Sequence, residues 1–109
     1  MTVIAFAERE DDLAEMTIHR LEDGRLVARR RTSEDRIDGM RPKGRFDDAW
    51  IHVRSQGRYM RRDVVLDEER GIQCYDYSSL ENGRLWIRAI EAWHEIVDGR
   101  SRFERIEIA

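Results

Sequence analysis

The chain has 109 residues, enough for one domain, with 40% apolar and 39% charged residues and a formal net charge of −3. Its 20 basic and 23 acidic side chains are interleaved, which argues against the strongly basic stripe of a nucleic-acid binder. No run approaches the ~20 apolar residues of a membrane span, and the single Cys74 excludes an internal disulfide or a cysteine-based metal knot.

The N-terminal apolar run, Val3 to Ala7, is shorter than the apolar core of a secretory signal, and no basic region precedes it, so a cytoplasmic protein is expected. That run reads as a short strand. Met16 to Leu21 leads into a turn at Asp23-Gly24, and Leu26 to Arg30 leads out of it. Met16 to Glu22 also tolerates a helical reading. The segment from Ser33 to Asp48 contains the only proline, Pro42, and reads as the longest irregular stretch and a candidate lid. From Trp50 to Arg54, Ile51 and Val53 share one face, His52 and Arg54 the other. The next run places Met60, Val64 and Leu66 on one face and Tyr59, Arg61, Asp63 and Val65 on the other. Ile72 to Tyr77 alternates, as do Arg105 to Ile108. Period-two patterning of this kind marks half-buried antiparallel strands.

Turn chemistry agrees. A polar residue, Gly and Arg occur in succession at 23–25, 43–45, 56–58, 82–84 and 98–100. Asp-Gly and Asn-Gly favour two-residue hairpin turns because both positions need φ > 0. Residues 84–98 are ambiguous. Arg84, Arg88, Glu91, His94, Glu95 and Asp98 fill one arc of a helical wheel, with Ser78 and Glu81 as a capping box. The Gly83 and Gly99 turns equally suit a long bent strand. The expected fold is mainly β, an antiparallel meander of hairpins forming a sheet or small barrel, in a single domain spanning 1–109. One helix at 84–98, and with it an α+β class, is the alternative.

No catalytic signature stands out. His19, His52 and His94 lie on separate elements without metal-ligand spacing, so no metal site and no cofactor are expected. Cys74 has no local base signature and reads as a small core residue. A nucleophile elbow and phosphate-cradling loops are absent. Asp76-Tyr-Ser-Ser-Leu-Glu81 departs from the Asp-x-Ser-x-x-Gly pattern of PilZ domains at its last position, and no function is carried over.

Of the 20 basic residues, 19 are Arg, whose planar forks pair with carboxylates and stack on rings as Lys cannot. Arg29, Arg30 and Arg31 end one strand, while Arg54, Arg58, Arg61 and Arg62 flank a hairpin that also carries Tyr59. If these hairpins are neighbours, Arg29, Arg31, Arg54, Arg58, Tyr59, Arg61 and Arg62 form one binding face. The first expectation is therefore a non-enzymatic inhibitor- or adaptor-type domain that docks this face on a protein partner. A small-molecule ligand in an aromatic-lined barrel pocket is the alternative, and an enzyme using His52 or His94 as general base is the third. Nucleic acid is disfavoured, no membrane partner is expected, and a homodimer through an edge strand is compatible with the charged edges.

Overall fold

A computed structural model describes residues 3–35 and 48–106. Among these residues ten strands run in chain order: β1 Val3–Arg9, β2 Glu15–Arg20, β3 Leu26–Arg30, β4 Ala49–His52, β5 Arg58–Asp67, β6 Ile72–Ser79, β7 Leu85–Ala89, β8 Ile96–Val97, β9 Arg100–Ser101 and β10 Phe103–Arg105. One helical turn, α1 Ile90–Trp93, follows β7. The chain is mainly β, as its patterning implies. Eight strands form one sheet in the order β10-β4-β5-β3-β2-β1-β7-β6, and a further β5–β6 pairing closes β5-β3-β2-β1-β7-β6 into a ring. Most pairs are antiparallel, whereas β1–β7 and β3–β5 are parallel, so the sheet is mixed.

β5 sets the geometry. Its N-terminal residues Arg58, Tyr59 and Met60 pair with β4, and its C-terminal residues Val65, Leu66 and Asp67 pair with β3. Between them, the register against β6 shifts between Arg61 and Val64. The Asp63 N–H leaves the ladder and donates to Asp76 Oδ1 at 2.7 Å. A bulge of this kind adds a residue and reverses which side chains face the core. Simple alternation placed Met60, Val64 and Leu66 together; instead Met60 and Val65 are buried and Val64 is 50% exposed. The bulge is the physical reason for the difference.

The same bulge separates two cores. Inside the ring pack Ala7, Met16, Ile18, Leu26, Ala28, Val65, Cys74 and Ile87. These side chains are mostly small or aliphatic, as a ring of few strands requires, and this cluster contains no aromatic ring. On the outer face of β6 and β7, Tyr77, Trp93 and Phe103 form a second cluster, with Trp50, Tyr59, Tyr75 and Trp86 packed against it. Among the described residues, these aromatics lie outside the ring and the clustered interior is aliphatic. Trp93 and Phe103 stack with centroids 3.8 Å apart, which pins α1 to β10.

Residues 84–98 are neither one long helix nor one bent strand. They form β7, the α1 turn and the start of the β8–β9 hairpin. Trp86 and Arg88 alternate with Leu85 and Ile87, and register opposite Tyr77 and Tyr75 fixes the strand reading for the first part. Met16 to Arg20 lies within strand β2, which is buried on both faces from Met16 to His19. The Pro42 segment and the Lys43-Gly44 turn fall outside the described residues, except at the ends of the segment. No described helix is long and apolar enough to cross a membrane.

Candidate functional site: an aromatic cleft on the outer sheet face

Strands β7, β6, β4 and β10 and the N-terminal half of β5 present one continuous face. Cross-strand register places Trp86 beside Tyr77, Arg88 beside Tyr75, and His52 beside Phe103. Between this face and the β1–β2 turn lies a cleft of about 310 Å³, lined by Glu10, Leu13, His52, Ser55, Tyr59, Tyr77, Trp86, Arg88 and Phe103. Tyr59 meets Tyr77 edge to face at 5.4 Å and Phe103 at 6.2 Å. His52 stands edge-on to Phe103 at 5.0 Å. These edge-to-face contacts are the favoured geometry for aromatic pairs and set the planes of the Tyr59, Tyr77, Phe103 and His52 rings.

The polar groups of the cleft converge on Arg88, only 7% exposed. Its Nη2 pairs with Glu10 Oε1 at 2.8 Å, its Nε donates to the Tyr77 hydroxyl at 3.3 Å, and its guanidinium lies 4.9 Å from the Phe103 centroid. Burial pushes the Tyr77 phenol up to about 12, against the pull of Arg88, so Tyr77 stays a neutral donor and acceptor at any physiological pH.

His52 is held by its own turn. The Ser55 N–H donates to Nδ1 at 3.1 Å, so the neutral ring carries its proton on Nε2. Burial lowers the His52 pKa below its ordinary 6.5, helped by the Arg88, Arg102 and Arg54 charges and opposed by Glu10. The Ser55 hydroxyl also lies 3.0 Å from Nδ1, and it accepts the Gly57 N–H at 3.2 Å. A nucleophile–base pair needs a free hydroxyl and an orienting carboxylate. Here both serine contacts close the β4–β5 turn, and no described carboxylate hydrogen-bonds His52. His94 is exposed and lies 3.2 Å from the Tyr75 hydroxyl, and buried His19 contacts Thr17 Oγ1 at 2.7 Å. No group of three described His, Cys, Asp or Glu side chains is placed to hold a metal. Cys74 is fully buried, and burial with the nearby Asp67 charge pushes its thiol up to about 11.

The arginines singled out from sequence do not assemble into one face. Arg29 and Arg31 lie near the C-terminal end of β5, where Arg29 pairs with Glu68 at 2.9 Å. Arg31 stacks 4.0 Å over Phe6 and reaches Glu15 at 3.9 Å. Arg58, Arg61 and Arg62 lie at the other end of β5, roughly 20–30 Å of strand away. Arg61 is sandwiched between Trp50 at 4.6 Å and Tyr75 at 4.4 Å and reaches Asp48 at 3.4 Å. It is an integral part of the outer aromatic packing. Arg62 is half-buried, and Arg54 and Arg58 are exposed. Tyr59 alone of the set lines the cleft.

Sequence does not mark Arg88 or Glu10 as site residues, and it offers Trp86 and Phe103 only as members of an aromatic set able to line a ligand cavity. The alternation of Trp86 and Arg88 against Leu85 and Ile87 carries the signal, but the competing helical arc masked it. Comparison with protein-family models, curated proteins and solved structures finds no match.

Proposed function

We propose that this chain is a non-enzymatic binding protein whose outer aromatic cleft receives a small, planar, partly apolar molecule. One observation carries the reading: a concave site of about 310 Å³ walled by Tyr59, Tyr77, Trp86 and Phe103, with Arg88, Glu10 and His52 as its few polar groups. Aromatic walls with a small number of placed polar groups are the usual build of a ligand pocket. The exposed Leu13, at φ 56°, adds an apolar lip. The arginine-face reading has less support, because its arginines lie at opposite ends of β5 and Arg61 is sandwiched between Trp50 and Tyr75. A protein partner inserting an aromatic side chain would use the same cleft chemistry.

Calorimetric titration with 2-naphthol tests this reading. Saturable one-to-one binding is expected, weakened by about tenfold or more in Trp86→Ala through loss of one aromatic wall, at little cost to the ring core that Trp86 does not join. Absence of saturable binding, or equal binding by Trp86→Ala, would contradict it.

A further inference from the structure

We infer that a second pocket beside the cleft, walled by Arg54, Arg100 and Arg102, holds an anionic group of the same ligand, so that the natural ligand is an aromatic or planar carboxylate or phosphate. This inference rests on the cleft reading and extends it. The pocket measures about 340 Å³ and is lined by His52, Val53, Arg54, Val97, Asp98, Arg100, Ser101 and Arg102. His52 lines both cavities, so a ring lying against Phe103 needs only to pass His52 for a substituent to enter the second one.

The charges favour an anion there. Three arginines and one acidic residue, Asp98, are among the lining residues. Arg54 makes no ion pair among the described residues. Arg100 pairs with Glu104 at 3.0 Å and Arg102 with Glu95 at 2.7 Å, and neither glutamate lines the pocket. Both pairs are solvent-accessible, and such pairs contribute little and exchange partners readily. The positive field reaches His52, whose proton affinity Arg102 and Arg54 both depress. Guanidinium forks match carboxylate and phosphate alike through paired N–H donors. The hairpin supports the placement. The Val53 N–H donates to the Arg102 carbonyl at 3.0 Å, and the Arg102 N–H donates to the Glu95 carbonyl at 3.0 Å. Arg54 and Arg102 are therefore held on adjoining backbone.

The test compares 2-naphthol, 2-naphthoate and 2-naphthyl phosphate by calorimetry on the full chain, at low salt and at about 0.5 M salt, where exposed charges are screened beyond a few ångströms. Both acids are expected to bind at least about tenfold more tightly than 2-naphthol at low salt. That advantage should collapse at high salt and in the exposed-surface double variant Arg54→Gln/Arg100→Gln, while 2-naphthol binding stays unchanged. The stronger of the two acids identifies the anion class. If 2-naphthol binds and the acids gain nothing, or if the gain survives the double variant, the anion pocket is wrong and the cleft stands. If none of the three binds, both readings fall.

Discussion

Arg9 shows how this highly charged chain uses charge internally. Its side chain is 3% exposed, and its Nε lies 3.2 Å from Asp67, which is fully buried. Its two terminal nitrogens reach Asp12 at 3.0 Å and Glu69 at 2.8 Å. Asp67 also accepts from Arg70 Nε at 2.9 Å, and Arg70 pairs with Asp11 at 2.7 Å. One end of the ring is therefore closed by ions. Removing one partner of such a cluster strands the other in low dielectric. Arg9→Met is expected to lose about 3–5 kcal/mol by urea denaturation, and Arg9→Met/Asp67→Asn is expected to recover part of that loss. Glu69 adds a pH signature. Hydrogen bonds from Arg30 and Arg9 hold its carboxyl down to about 2 from an ordinary 4.5. Its contribution is therefore complete above pH 4.5 and is lost as pH falls from there toward 2. In thermal melts the drop in Tm over that window is expected to be smaller for Glu69→Gln than for the parent. An equal drop would remove Glu69 from the account.

At the scale of elements, the turns show how far local chemistry reaches. Asp98 and Gly99 both have positive φ, 53° and 78°, and join Val97 to its register partner Arg100. This is the two-residue turn that Asp-Gly favours. At Asp23-Gly24 the same dipeptide makes a longer loop: Gly24 N–H donates to the Leu21 carbonyl and Leu21 N–H to the Arg25 carbonyl. At Asn82-Gly83 the loop is longer again, closed by Ser79 N–H to the Arg84 carbonyl. Dipeptide identity thus located these turns, while strand register chose their length. Gly99→Ala forces a Cβ into left-handed backbone at about 1 kcal/mol. Hydrogen exchange is expected to rise about fivefold for amides of 96–101 with ring amides unchanged. Strand existence was legible from period-two patterning, and β3 falls at the expected residues. The β5 bulge was not legible, because it depends on the side chain of Asp76 thirteen residues away capturing the Asp63 N–H. The cleft was missed for a related reason. Its residues come from the β1–β2 and β4–β5 turns and from β4, β5, β6, β7 and β10, and only the tertiary pairing of these strands brings them together.

At the scale of the whole molecule, β6 and β7 are shared walls. One face closes the aliphatic ring interior and the other supports the aromatic cluster. The ring interior is filled by side chains, whereas the outer face has aromatic rings and open space. The Cα radius of gyration, 14.0 Å, is that of one compact unit of about this length, so the two cores stabilise a single body. On the proposed reading, binding belongs to the outer face and the ring interior serves stability alone. Its most direct test is amide and side-chain NMR mapping of 2-naphthol on the full chain. Shifts concentrated on His52, Tyr59, Tyr77, Trp86, Arg88 and Phe103, with Ile18, Val65 and Ile87 unmoved, are the expected result. Shifts centred on the ring interior, or spread without focus over the surface, would contradict the account.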